Sequence, residues 1–220
     1  ELMPPKRPMD KPLRLPLPAA SSSRPISDAT FNLFPVPRSV RVGDPSATLA
    51  LAPSFTIVPA NGARSSDVLI QAIKRYSALI PTQSHGSNHA VPALTALTVH
   101  VADPSVTVPT LDVDVSYTLT VPAAGGGDAA TLTAATPFGA LYGLDTFSQL
   151  VSAEGVVLGA AIAIADAPSF RHRGLTIDVG RRFAPVALVE SILDGLAYSK
   201  MNVLHMSLSG PTVRVAMPDA

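Results

Sequence analysis

Asp178 and Arg181 stand three residues apart, where the run Gly174-Leu175-Thr176-Ile177 meets a charged tip, Gly180-Arg181-Arg182. A guanidinium held by a carboxylate can present several N–H donors in fixed geometry to neighbouring oxygens of a ligand. An ordinary ion pair at a strand end is the other meaning of the same two residues. The surrounding segment reads as a strand closing at the tip, a helix from about Val186 to Lys200, and a second apolar run from Val203 to Leu208. A strand, a helix and a strand in about 35 residues make one βαβ unit. In parallel sheets, chemistry gathers at the carboxyl ends of the strands, which is where Asp178 and Arg181 fall.

Other chemistries lack their residues. The five histidines are His85, His89, His100, His172 and His205. Only His85 and His89 have the i, i+4 spacing of a zinc-binding helix, and they lie in a Gly/Ser/Asn-rich loop with no glutamate between them, so no metal site is expected. Gly125-Gly126-Gly127 has no following Lys-Ser/Thr and is a turn rather than a phosphate loop. There is no Gly-x-Ser-x-Gly elbow and no cysteine. Glu190 and Asp194, one helical turn apart, read as a solvated helix face. With a formal net charge of zero and 15% charged residues, the composition makes no electrostatic case for nucleic acid or an anionic membrane. No apolar run of about 18 residues suggests a membrane span. No Asn-x-Ser/Thr sequon occurs, and the first residue is Glu1, which points to a processed product or a fragment.

The elements that must position the tip follow from patterning. Residues 1–30 hold seven prolines and a Ser21-Ser22-Ser23 run, and read as a linker or tail. From Phe31, short strands are expected at Leu49–Leu51 and Phe55–Val58, interrupted by Pro53 and Pro59. Leu69, Ile73, Tyr76 and Ile80 predict a helix over 65–80, ended by Pro81. Leu97–Val101 reads as a strand. Leu111 to Val121 alternates apolar and polar residues throughout and predicts a strand with one covered face. The glycine turn leads to a hairpin partner at Thr131–Ala134. Thr136-Pro137 then opens a helix, with Thr as cap and Pro at the first helical position. Ala160–Ala165 is a further strand. Residues 31–168 therefore read as an α+β unit, a largely antiparallel sheet with two helices on one face, and residues 169–220 as a separate parallel unit. In the helix of that second unit, Val189, Ile192, Leu193 and Leu196 form the apolar stripe, and Lys200 suits the negative pole of the dipole.

Three segments carry a family resemblance. They are Tyr117–Val121 leading to Thr136-Pro137-Phe138-Gly139-Ala140-Leu141-Tyr142-Gly143-Leu144-Asp145-Thr146-Phe147-Ser148-Gln149-Leu150; Phe170–Leu175 running into Asp178-Val179-Gly180-Arg181; and Ala197–His205. In this order and spacing, over about residues 31–208, the chain resembles the β-N-acetylhexosaminidases of glycoside hydrolase family 20, most like the plant and algal forms. The resemblance implies a zincin-like α+β domain at 31–168. It makes 169–220 the first βαβ of a (β/α)8 TIM barrel. It also implies a retaining, substrate-assisted mechanism on terminal GlcNAc or GalNAc residues, an exception to the usual two-carboxylate scheme. In that mechanism the 2-acetamido oxygen attacks its own anomeric carbon, a glutamate protonates the leaving oxygen, and an adjacent aspartate orients the acetamido group.

Carried over residue by residue, Arg181 matches the arginine that grips sugar hydroxyls, and Asp178 the aspartate that could hold it. His172 and Arg173 are expected to secure the domain junction. The second strand departs from the family: His205 is kept, but Met206 stands for a tryptophan, Ser207 for a histidine and Gly210 for an acidic residue. No Asp-Glu dipeptide occurs in the 220 residues, so no catalytic residue is assigned in this chain and the chain alone is expected to be inactive. A non-catalytic carbohydrate-binding or assembly module derived from a hexosaminidase is the alternative. The resemblance implies N-acetylhexosamine-terminated glycans as partners and no cofactor. It implies a lysosomal, vacuolar or secreted setting, and dimers are common in the family.

Overall fold

The computed structural model describes residues 33–60, 63–64, 66–82 and 92–208. The expected tail at 1–30, the His85–His89 pair and Gly210 lie outside the described residues. Among the described residues, seven strands and three helices run in the order β1 (Ser39–Pro59), α1 (Asp67–Leu79), β2 (Ala93–Val101), β3 (Tyr117–Val121), β4 (Ala129–Ala134), α2 (Pro137–Leu150), β5 (Val156–Asp166), β6 (Gly174–Asp178), α3 (Val186–Tyr198) and β7 (Val203–Ser207).

The first five strands form one mixed sheet in the order β1-β2-β4-β3-β5. The β1–β2 and β2–β4 pairings are parallel; β3–β4, β3–β5 and β1–β5 are antiparallel. The sheet closes because β1 is long. Its first part pairs with β5, its later part with β2, and Ala50 pairs with both. The two short strands expected at 49–51 and 55–58 are thus parts of one strand. Pro53 does not break it because it falls in a register shift between Leu51 and Thr56, where no ladder bond needs its missing N–H.

The alternating stretch from Leu111 is strand only from Tyr117 onward. β4 pairs with β3 no further than Ala134 opposite Tyr117, and β5 ends at Asp166 opposite the same residue. Residues 111–116 therefore have no sheet to join. They turn instead: Val113 N–H donates to the Thr110 carbonyl, and the Asp114 carboxylate accepts from Ser116 N–H. Alternation without a neighbouring strand does not make a strand.

The hairpin turn follows expectation, with Gly125 and Gly127 at φ 77° and 153°, a region that favours glycine. Helix caps do too. Ser66 Oγ accepts from Leu69 N–H at the start of α1, and Thr136 Oγ1 from Gly139 N–H at the start of α2. α2 packs on β2, β3 and β4, and α1 lies against α2 and β1. Between them and the sheet sits the core of Leu49, Leu97, Leu119, Leu132, Phe147 and their neighbours, all fully buried. Two glycines allow α2 to approach the sheet. A Cβ on Gly139 would stand 2.7 Å from the Ser116 carbonyl oxygen, and one on Gly143 would stand 2.2 Å from Leu132 Cδ1.

Beyond β5, β6 and β7 pair in parallel with α3 between them, a βαβ unit as expected. Of the α3 stripe, only Leu196 is buried; Leu193 is exposed. Among the described residues no helix is long and apolar enough to cross a membrane.

Gly143→Ala should force α2 off β4. The expected loss is about 1–3 kcal/mol of unfolding free energy, the usual cost of overpacking, read as a lower urea midpoint with an unchanged slope. An unchanged midpoint would mean that Leu132 can move aside freely.

Candidate functional site

β6 ends in Asp178, and the chain turns at once through Val179 and Gly180, whose N–H groups both donate to the Ser207 carbonyl at the end of β7. This ties the two strand ends together. Arg181 N–H donates to Asp178 Oδ1 at 3.1 Å, and Arg181 Nε donates to Asp178 Oδ2 at 2.6 Å. The Arg181 side chain is 85% exposed and that of Asp178 28%. One carboxylate thus fixes both the backbone and the Nε edge of the arginine, and leaves the terminal nitrogens to face outward. The hydrogen bonds from the Arg181 side chain, then its backbone N–H, hold the Asp178 carboxyl below its usual value of 3.8. The pair is therefore complete above the ordinary aspartate range and is lost as pH falls through the lowered value.

The β6–β7 register sets Thr176 beside His205 and Asp178 beside Ser207. With side chains alternating along each strand, these four share one face of the pair. A cavity of about 320 Å³ lies along the strands, lined by His172, Gly174, Thr176, Val203 and His205 among others. It stops short of Asp178 and Arg181. A larger hollow of about 480 Å³, between the ends of α1 and α2, has no titratable group in its lining. Glu190 and Asp194 are exposed on α3, away from the strand tips. Among the described residues no group of three or more His, Asp or Glu side chains could hold a metal ion.

At the opposite end of β6, a second cluster was not foreseen. Lys200 directly follows the C-cap of α3. Its N–H donates to the Ala197 carbonyl and Met201 N–H to the Leu196 carbonyl, the paired bonds of a Schellman ending. The residue in this position is usually glycine because it needs a left-handed backbone. Lys200 adopts φ 53°, at a cost of about 1–2 kcal/mol for a residue with a Cβ. It is buried, with 7% of the side chain exposed. Nζ donates to Thr146 Oγ1 at 2.8 Å and Tyr117 Oη at 3.0 Å, and lies 3.5 Å from Asp166 Oδ2. Tyr117 Oη in turn donates to Asp166 Oδ2 at 3.1 Å.

Burial pulls the Lys200 amine below its usual value, although Asp166 and Asp145 oppose the shift. Burial likewise raises the Asp145 carboxyl, with Lys200 opposing. Tyr76, half-buried, is pushed up to about 12 by loss of water around it and by the nearby Asp145 carboxylate. Around Lys200, Arg173 ties β6 to both the end of α3 and α2. Its guanidinium donates to the Lys200 and Phe170 carbonyls and to Tyr142 Oη. His172 is exposed beside Gly174. Arg171 pairs with Asp112, a further tie between the turning segment and the approach to β6. The one signal in the sequence for Lys200 is a lysine where a helix ending calls for glycine.

The five-stranded sheet with its helices and the following parallel pair define a mixed α/β protein, and the relatives make the assignment. Residues 33–150, just over half of the chain, match the family model described as "beta-acetyl hexosaminidase like", and residues 170–211 match that of the glycosyl hydrolase family 20 catalytic domain. The chain is 31% identical to beta-hexosaminidase 1 of Arabidopsis thaliana over 197 residues, covering 81% of this chain and 36% of that protein. It is 36% identical to the beta-hexosaminidase beta subunit of Sus scrofa over 187 residues, covering 80% and 34%. Among solved structures, a Flavobacterium johnsoniae chitobiase superposes with a TM-score of 0.62 at 26% identity, over 83% of this chain and 28% of that one. The chain belongs to glycoside hydrolase family 20, the β-N-acetylhexosaminidases. It spans about a third of the length of the curated relatives it matches over most of its length.

Arg181→Gln should release Asp178 back toward 3.8, seen as an upward move of its carboxyl midpoint in a carbon-13 NMR titration. An unmoved midpoint would mean that the arginine does not hold the carboxylate.

Proposed function

We propose that this chain carries the sugar-gripping corner of a β-N-acetylhexosaminidase. Arg181 donates hydrogen bonds to hydroxyls of a terminal N-acetylhexosamine, and Asp178 holds its guanidinium in the gripping pose. The observation that carries this reading is the pair itself: an exposed guanidinium fixed from one side at a parallel strand tip, in a chain of family 20. Sugar hydroxyls are weak ligands one at a time. A preorganised donor loses less side-chain freedom on binding than a free arginine.

In the same reading residues 31–168 are the zincin-like α+β domain that precedes the family's barrel, and 169–220 are the first βαβ of a (β/α)8 barrel. The two family matches, 33–150 and 170–211, fall on either side of that boundary. The parallel β6–β7 pair with α3 between is the form such a barrel repeats.

The reaction is substrate-assisted and retaining. It needs a carboxylic acid to protonate the leaving oxygen and a neighbouring carboxylate to orient the acetamido group, and no Asp-Glu dipeptide occurs in these 220 residues. Asp178 cannot serve as the acid, because its carboxyl is held ionised by Arg181. This stretch therefore binds and does not cleave.

Two measurements test the reading on the 220-residue chain. Titration with N-acetylglucosamine should shift the nitrogen-15 signal of Arg181 Nε, and Arg181→Ala should abolish the saturable response elsewhere in β6. No turnover of a chromogenic N-acetylglucosaminide should occur. No shift at Arg181 would overturn the grip, and clear turnover would overturn the separation of grip from acid.

A further inference from the structure

Lys200 bears two costs in one residue, a left-handed backbone without glycine and an ammonium taken out of water. Burial outweighs its carboxylate neighbours, since the amine is pulled below its usual value. Such a residue adds little net stability, because replacing a buried ion pair by apolar groups is often neutral. Its geometry is nonetheless specific. The Nζ contacts come from three elements of the first unit: Tyr117 on β3, Thr146 on α2 and Asp166 at the end of β5. The backbone of the same residue holds the second unit. Its carbonyl accepts from Arg173 Nε at 2.8 Å, at the base of β6, and also from Tyr142 Oη on α2 of the first unit at 3.3 Å. Two residues on, Asn202 clamps the base of β6, with Oδ1 accepting from Arg173 N–H at 2.9 Å and Nδ2 donating to the Arg171 carbonyl at 2.8 Å.

We infer that Lys200 is a positioning residue that docks the β6–α3–β7 unit on the first unit in a single orientation, and so sets the direction in which the β6 tip points. A directional set of hydrogen bonds selects one pose where apolar contact would accept several. The apolar face of α3 is poorly suited to that task, since Leu193 is exposed. The bearing of this docking on sugar binding rests on the reading of Arg181 given above; the docking itself involves no sugar.

The chain has no cysteine, so two introduced cysteines report the docking directly. Spin labels at Ser77→Cys, exposed on α1, and Arg182→Cys, exposed beyond β6, should give one narrow distance distribution by pulsed electron resonance. In Lys200→Met the distribution should at least double in width while circular dichroism stays that of the folded chain. Lys200→Gly should broaden it equally, even though glycine suits the left-handed position better. That result separates the amine from the backbone. If Lys200→Met does not fold, Thr146→Val, which removes one acceptor of the amine, decides by the same criterion. A distribution as narrow in these variants as in the parent would overturn the inference. So would narrowing in Lys200→Gly, which would make the residue a strained helix ending and nothing more. Because the readout needs no ligand, failure here leaves the N-acetylglucosamine response of Arg181 untouched, and failure of that response leaves the docking untouched.

Discussion

The contact that joins the two parts of the structure is the ammonium of Lys200 seated among Tyr117, Thr146 and Asp166. The closed sheet with its two helices has its own core and needs nothing from residues 174–208 to bury it. The β6–α3–β7 unit has little core of its own, with Val179, Leu196 and Lys200 its clearest buried side chains. What joins the two is mainly polar and local, through Lys200, Arg173 and Tyr142, with the Phe34–Tyr198 ring stack beside them. A joint of that kind is stiff in direction, because each hydrogen bond has a preferred angle, and modest in strength, because each was exchanged for one with water.

This arrangement changes what the long family motif means. Gly139-Ala140-Leu141-Tyr142-Gly143-Leu144-Asp145-Thr146-Phe147-Ser148-Gln149-Leu150 contains polar residues of the types that build sites. In the fold they are packing and joinery. Gly143 makes room for Leu132, and Phe147 stacks on Phe55 in the core. Gln149 exchanges two hydrogen bonds with the backbone of Phe34 and a third with Asp145. Tyr142 and Thr146 receive the second unit. The exposed pair proposed to meet a ligand, Asp178 and Arg181, sits at the other end of β6.

Much of the fold was legible in the sequence. The cap of α2, the glycine hairpin and the strand-helix-strand of the second unit follow from local chemistry: a threonine before a proline, glycines at positive φ, apolar residues at a fixed period. The misreadings share one cause. Pro53 suggests a break, but a partner strand shifts register around it. Leu111 to Ser116 alternate like a strand, but no neighbour extends far enough to pair with them. Whether an extended segment becomes a strand is decided by what lies beside it, and that is a non-local fact.

The candidate site divides the same way. Asp178 and Arg181 are three residues apart, so their pairing is local, and the sequence alone marked both the residues and their place at a strand end. Lys200 is separated from Tyr117 by 83 positions and from Thr146 by 54. No spacing rule brings such residues together, and a lysine after a helix most simply faces water. Only the tertiary structure put that amine in the interior, because burial of a charge becomes tolerable once three separate elements converge to supply its partners.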